Sequence, residues 1–178
     1  MTAASAAPEV DPLVGPISQA LLDDLMYEPS VLFFDRIEEV DRQASRIVCR
    51  MPTDQPMPFT DHQRVHPVRH PRHVGGAVMI QLTGNLGFIH ARELEGLRHS
   101  DGWVGFGTHI KSAVFRKLVR PGAPLLCACT QAKVRRGKSR VFSIYRYQFH
   151  HEGQLAFESE QAAMWLKVEG ENAVPLAL

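Results

Sequence analysis

The stretch from Phe59 to His90 reads FTDHQRVHPVRHPRHVGGAVMIQLTGNLGFIH. A loop dense in His and Pro runs into Gly75-Gly76 and then into a long apolar segment with no acidic residue. Met79, Ile80, Leu82, Leu86, Phe88 and Ile89 leave almost no polar face. The spacing therefore predicts a helix over 76–93 that is buried on nearly all sides. A helix of that kind has to be wrapped. A single, strongly curved antiparallel sheet does this, leaving its other face covered or solvated.

The rest of the chain supplies the strands. Ile17, Leu21, Leu22 and Leu25 are spaced for a short amphipathic helix over 17–27. Val31–Val40 and Ala44–Met51 read as two strands joined by a polar turn. The loop from Pro52 to His73 is long for a compact domain, and such loops are commonly functional or mobile. After Gly102 come four strand patterns, Trp103–Phe115, Leu125–Val134, Val141–Phe149 and Leu155–Val168. They are separated by a Pro-Gly turn, a basic turn at Arg135-Arg136-Gly137-Lys138, and a hairpin at 150–154. Short turns imply antiparallel pairing. The class is α+β, with residues 1–15 as a disordered lead-in, 16–172 as one domain and 173–178 as a flexible tail.

A chain of 178 residues buries a core without staples. The net charge of +1 gives no case for nucleic acid or a membrane surface. Three cysteines form no disulfide framework, and Cys127 and Cys129 share a strand face, which fits a reducing, cytoplasmic setting. The N-terminal stretch MTAASAAPEVDP lacks the basic and apolar parts of a secretion signal, and no run is long enough for a transmembrane helix.

This order and several local motifs resemble the hotdog superfamily over roughly residues 28–168. FFDRIEEVDRQASRIVCRM and VFRKLVRPGAPLLCACTQ are similar to the opening strands and the C-terminal half of the 3-hydroxyacyl-ACP dehydratases of the FabA/FabZ type. Gln81 stands nearest to the helix acid of those enzymes, and Gln carries no exchangeable charge, which weighs against dehydration by a His–carboxylate pair. Val74-Gly75-Gly76 is similar to the helix start of other superfamily thioesterases. LLDDLMYEPS, GNLGF and the FRK strand resemble the FcoT-type acyl-CoA thioesterases, whose helix is also poor in acids. The resemblance implies a homodimer or larger homo-oligomer with sites at the subunit interface, acting on acyl-CoA or acyl carrier protein thioesters without a cofactor. Hydrolysis is the leading expectation. β-Carbon chemistry on a hydroxyacyl or enoyl thioester, and binding without catalysis, are the alternatives.

Among the residues, His66 and then His70 are the candidate acid–base histidines. His62, His66, His70 and His73 suggest a metal site by number, but Pro67 and Pro71 disfavour the helix that would align them, so none is predicted. Gly75, Gly76 and Ala77 place backbone N–H groups at a buried helix N-terminus, where they could polarise a thioester carbonyl. Asn85 and Gln81 are polar groups on an apolar helix, suited either to bonding the sheet backbone or to orienting a water or the thioester. Arg116, Lys117 and Arg120, with Arg135 and Arg136, read as solvated turns or as a landing site for CoA phosphates or an acidic carrier protein. Tyr145, Tyr147, Phe149 and Trp165 read as sheet packing.

Overall fold

The computed structural model describes residues 10–168. The apolar segment is a helix, α2 (Gly76–Glu95). It starts at Gly75, in extended conformation, and stops at Gly96, whose φ of 69° only glycine adopts without strain. At 20 residues it is about 30 Å long. Its C-terminal half is enclosed, with every residue from Asn85 to Ala91 buried. Its N-terminal half is not, because Ala77, Gln81 and Gly84 form an exposed stripe at helical spacing. The prediction of a helix buried on nearly all sides holds only beyond that stripe.

The helix packs against one antiparallel sheet of seven strands. In chain order they are β1 (Gly15–Pro16), β2 (Arg36–Asp41), β3 (Arg46–Met51), β4 (Trp103–Phe115), β5 (Leu125–Arg136), β6 (Arg140–His151) and β7 (Gln154–Lys167). Their spatial order is β1-β2-β3-β5-β6-β7-β4, so β4 crosses over to form an edge. On β6 the inner residues Val141, Ser143, Tyr145, Tyr147 and Phe149 are all buried, alternating with more exposed neighbours. Tyr145, Tyr147 and Phe149 share the main core cluster with Leu82, Leu86 and Ile89 of α2 and the buried Cys49, Cys127 and Cys129, while Val141 packs in a second cluster with Phe88 and Trp165. Burial pushes all three thiols well up, so they remain protonated core side chains. Part of the opposite face carries charges instead. Glu160 joins Lys111 and Arg146 there, and Glu158 pairs with Arg116.

Several expected boundaries move. The first helix, α1, covers only Gln19–Asp23, capped by Ser18 Oγ accepting from the Leu21 N–H. At its C-terminal end the Asp24 carboxylate accepts from the Ser100 and His99 N–H groups and from Arg92. Burial raises the Asp24 pKa, but these hydrogen bonds and the Arg92 charge outweigh it and hold the carboxyl below its usual range. Val31–Phe34 is not strand, since Pro29–Val31 form a single 3₁₀ turn before the chain joins β2. Arg135 and Arg136 close β5 rather than lying in a turn. The expected disordered lead-in is corrected at its end, where Asp11 pairs with Arg42 and Gly15 pairs with Ile37. Residues 1–9 and the expected tail at 173–178 lie outside the described residues. Among the described residues no helix is long and apolar enough to cross a membrane.

Candidate active site

Two cavities open along the exposed stripe of α2. The inner one, of about 250 Å³, lies between α2 and strands β4, β6 and β7. Its walls include Leu25, Phe88, Phe106, Tyr145, Tyr147 and Trp165. Glycines make the room, since Gly84, Gly87, Gly105 and Gly107 all line it. The outer cavity, of about 530 Å³, lies at the N-terminal end of α2 between Phe33, Phe59, Ala77 and Val78. Tyr27 and Gln81 line both cavities and so form their common rim.

The polar groups at the rim are tied to one another. Gln81 Nε2 donates to Asn85 Oδ1 at 3.1 Å, and Asn85 Nδ2 donates to the Val31 carbonyl at 2.7 Å. Asn85 is thus clamped between the helix and the segment before β2, and it orients Gln81, which is exposed. Midway between Gln81 and Asn85 in the sequence, Thr83 Oγ1 donates to the Ile80 carbonyl at 2.7 Å and accepts from Gln161 Nε2 at 2.9 Å. Gln161 Nε2 is also held by Ser159 Oγ at 3.0 Å. Among the described residues no carboxylate or imidazole lines the inner cavity. The site can therefore position a water and polarise a carbonyl, and its own lining holds no side chain that titrates near neutral pH.

The structure separates the sequence candidates. Gln81 and Asn85 come together at the rim. His66 and His70 line neither cavity. They pair backbone to backbone across a small hairpin, His66 N to His70 O at 2.8 Å and His70 N to His66 O at 3.0 Å. His66 Nδ1 accepts from the N–H groups of Val68 and Arg69, so this ring holds the turn. Among the described residues no group of three or more His, Cys, Asp or Glu side chains is placed to hold a metal ion. At the helix start, the Gly75 N–H is already bonded to Thr60 Oγ1 at 3.2 Å. Gly76 and Ala77 are exposed, and Ala77 faces the outer cavity. A Cβ on Gly76 would lie 3.3 Å from the Phe115 ring, a tight contact with a ring that is itself 54% exposed.

The basic residues divide into two groups. Strand pairing places Arg136 opposite Val141 and Phe115 opposite Phe157, at opposite ends of the sheet. Arg116 is paired with Glu158, Lys117 with Glu152, and Arg136 with Glu95. Arg120 lies at the same end as the helix start, beside Val119, whose carbonyl accepts from the Val74 N–H. The two clusters cannot form one anion-binding patch.

Sequence reading passed over Thr83, Gln161 and Tyr27. The signal for Thr83 was present, as a polar residue on an apolar helix. Gln161 and Tyr27 carry no local signal, because only the pairing of distant elements brings them to α2.

No protein-family profile and no curated protein sequence matches this chain. Solved structures do resemble it. The thioesterase HI1161 of Haemophilus influenzae superposes with a TM-score of 0.56 at 18% identity, covering 81% of this chain and 85% of that one. A mutant of the thioesterase PA1618 of Pseudomonas aeruginosa gives 0.58 at 14% identity, covering 88% and 99%. A phenylacetic acid degradation-related protein of Ralstonia eutropha gives 0.55 at 18% identity, covering 82% and 96%. At these identities the likeness concerns the path of the chain, and that path is the one described above. With one antiparallel sheet packed around a single long helix, this chain is a hotdog-fold protein.

Proposed function

We propose that this protein hydrolyses acyl thioesters carried on CoA or on an acyl carrier protein. The observation that carries this reading is the shared rim, where Gln81, anchored by Asn85, stands between an apolar inner cavity and an outer cavity at the helix N-terminus. The acyl group fills the inner cavity, and the thiol arm leaves through the outer one. The N–H of Ala77 or Gly76 stabilises the oxyanion, a contribution of about 3 kcal/mol in such sites. Gln81 holds the water that attacks the carbonyl carbon. The C–S bond breaks, the thiol leaves protonated, and the acid departs as a carboxylate with its proton released to solvent at the open mouth. Arg120 is the basic residue best placed for the phosphates of the carrier. Two of the similar structures are named thioesterases, which is consistent with this reading. The free edge of β4 suits assembly as a homodimer.

Among the described residues no carboxylate or imidazole lines the inner cavity, and this favours one second reading, a thioester-binding protein without catalysis. A panel of acyl-CoA and acyl carrier protein thioesters, followed by mass spectrometry for free thiol, separates the two. Hydrolysis predicts thiol release, with Gln81→Ala and Asn85→Ala each lowering kcat about a hundredfold and changing KM far less. Gln81 is exposed, so its variant folds even if the buried Asn85 variant does not. Binding with no thiol released would establish the second reading. A change of one water in mass with the thioester intact would mean chemistry at the β-carbon.

A further inference from the structure

The hairpin of residues 63–73 takes no part in the hydrolysis scheme, yet it stands at the mouth of the site. Its foot is fastened to the start of α2. Thr60 Oγ1 accepts from the Gly75 N–H, and the Gln63 amide grips the backbone of His73, donating to its carbonyl at 2.8 Å and accepting from its N–H at 3.1 Å. Just before this clamp, Pro58 and Phe59 line the outer cavity. Phe59 is 64% exposed and sits at a φ of 62°, a strained conformation for a residue with a side chain. Beyond the clamp His66 pairs with His70, and the tip between them projects, since Pro67, Val68, Arg69 and His70 are all exposed. From residue 59 to residue 73 the chain carries three arginines, Arg64, Arg69 and Arg72, against one carboxylate, Asp61. Arg72 lies 3.8 Å from Asp61. Arg69 Nε donates to the His66 ring at 3.4 Å, and neither Arg69 nor Arg64 has a carboxylate partner among the described residues. Beside these charges Val65 and Val68 are 48% and 85% exposed.

A site for a free small molecule is concave and encloses its ligand. A projecting hairpin does the opposite. Its exposed valines beside unpaired guanidinium groups have the composition of a protein interface, an apolar centre with a charged rim. We propose that this hairpin docks a small acidic acyl carrier protein, whose prosthetic arm enters the outer cavity at the hairpin's foot. Val65 and Val68 meet apolar surface on the partner, and Arg64 and Arg69 meet the carboxylates around it. A CoA thioester offers phosphates but no apolar face for the two valines. The inference rests on the thioester reading and selects a carrier protein over CoA as the carrier.

The test uses the full chain and one acyl group on three carriers, namely the acidic acyl carrier protein of bacterial fatty acid synthesis, CoA, and phosphopantetheine alone. Turnover is read by thiol release, and affinity for the holo carrier protein by calorimetry. The expected result is a KM about tenfold or more lower on the carrier protein than on phosphopantetheine, with the advantage shrinking as salt is raised. The double variant Arg64→Glu, Arg69→Glu raises KM on the carrier protein far more than on phosphopantetheine, with kcat held, and weakens holo carrier binding about tenfold. Val68→Asp, at the exposed tip, weakens the same binding. All three positions are exposed, and circular dichroism checks that the variants fold. Equal KM on all three carriers, with no calorimetric signal from the holo carrier protein, would overturn the docking surface and leave the thioesterase reading intact. A preference for CoA over the carrier protein would overturn it as well. Carrier binding that both variants weaken, with no thiol released from any carrier, would support the docking surface and refute hydrolysis. Carrier binding that survives both variants would place the contact on another face and overturn the proposal.

Discussion

His90 lies on α2 with no exposed surface, and its Nε2 is 2.9 Å from the Ser45 carbonyl and 3.2 Å from the Ser45 hydroxyl. It fastens the β2–β3 turn, where Ser45 has a φ of 48°, onto the helix. Its Nδ1 has no partner among the described residues. Burial lowers the His90 pKa, and the hydrogen bond to Ser45 offsets this only in part. The folded state therefore favours the neutral ring. The sign follows from linkage, because between the depressed folded value and the ordinary value of about 6.5 the unfolded chain binds the extra proton. Stability is full above about pH 6.5 and is lost as pH falls toward the folded value. Thermal melts at pH 7 and pH 5 should differ by several degrees in the native protein, with His90→Gln narrowing the gap. An unchanged gap would locate the acid sensitivity elsewhere. At this scale the sequence was partly legible. Asn85 announced itself as a buried amide needing partners, and it has Val31 and Gln81. His66 announced itself only by chemistry, and local turn geometry has claimed its Nδ1.

Within α2, two glycines three residues apart have opposite surroundings. A Cβ on Gly87 would lie 2.8 Å from the hydroxyl of Tyr147, which is 4% exposed and has little freedom to move. A Cβ on Gly84 would meet nothing within 4 Å. Gly87→Ala should destabilise the protein by about 1–3 kcal/mol through overpacking. Gly84→Ala should stabilise it by roughly 0.5–1 kcal/mol, since alanine is the better helix former. Denaturant titrations of both variants check the pair, and a matching sign would show that the helix–sheet spacing differs from that described. The same Gly84 substitution narrows the inner cavity, so the longest or bulkiest accepted acyl group should lose turnover first. Helical periodicity revealed where α2 runs. It could not tell which of its glycines touches the sheet, because that depends on Tyr147, sixty positions away in the chain.

β4 is a 13-residue strand at the edge of the sheet, and Ile110, Val114 and Phe115 on it are 49%, 40% and 54% exposed. A long apolar edge left unpaired invites further strand pairing. Light scattering should therefore show twice the chain mass, and the double substitution Ile110→Lys, Val114→Lys should shift the protein toward monomer. A native protein that is monomeric at micromolar concentration would refute edge pairing. The inner cavity is lined by Gly105 and Gly107 of this same strand, so loss of the dimer should also lower turnover.

The order of elements, the long central helix and the inner face of β6 follow from the sequence alone, since hydrophobic period and turn chemistry are local properties. The reach of Asp24, at the end of α1, to Ser100 is a long-range interaction and leaves no periodic trace. The same holds for the site. Gln81 and Asn85 are one helical turn apart and could be read together. Tyr27, Thr83, Gln161, Tyr145 and Trp165 become one cavity only after β4 crosses to the far edge and β7 packs between it and β6. Sequence spacing determines which residues share a face, and tertiary packing decides which faces meet, because burial of a common apolar surface joins segments that carry no mark of each other.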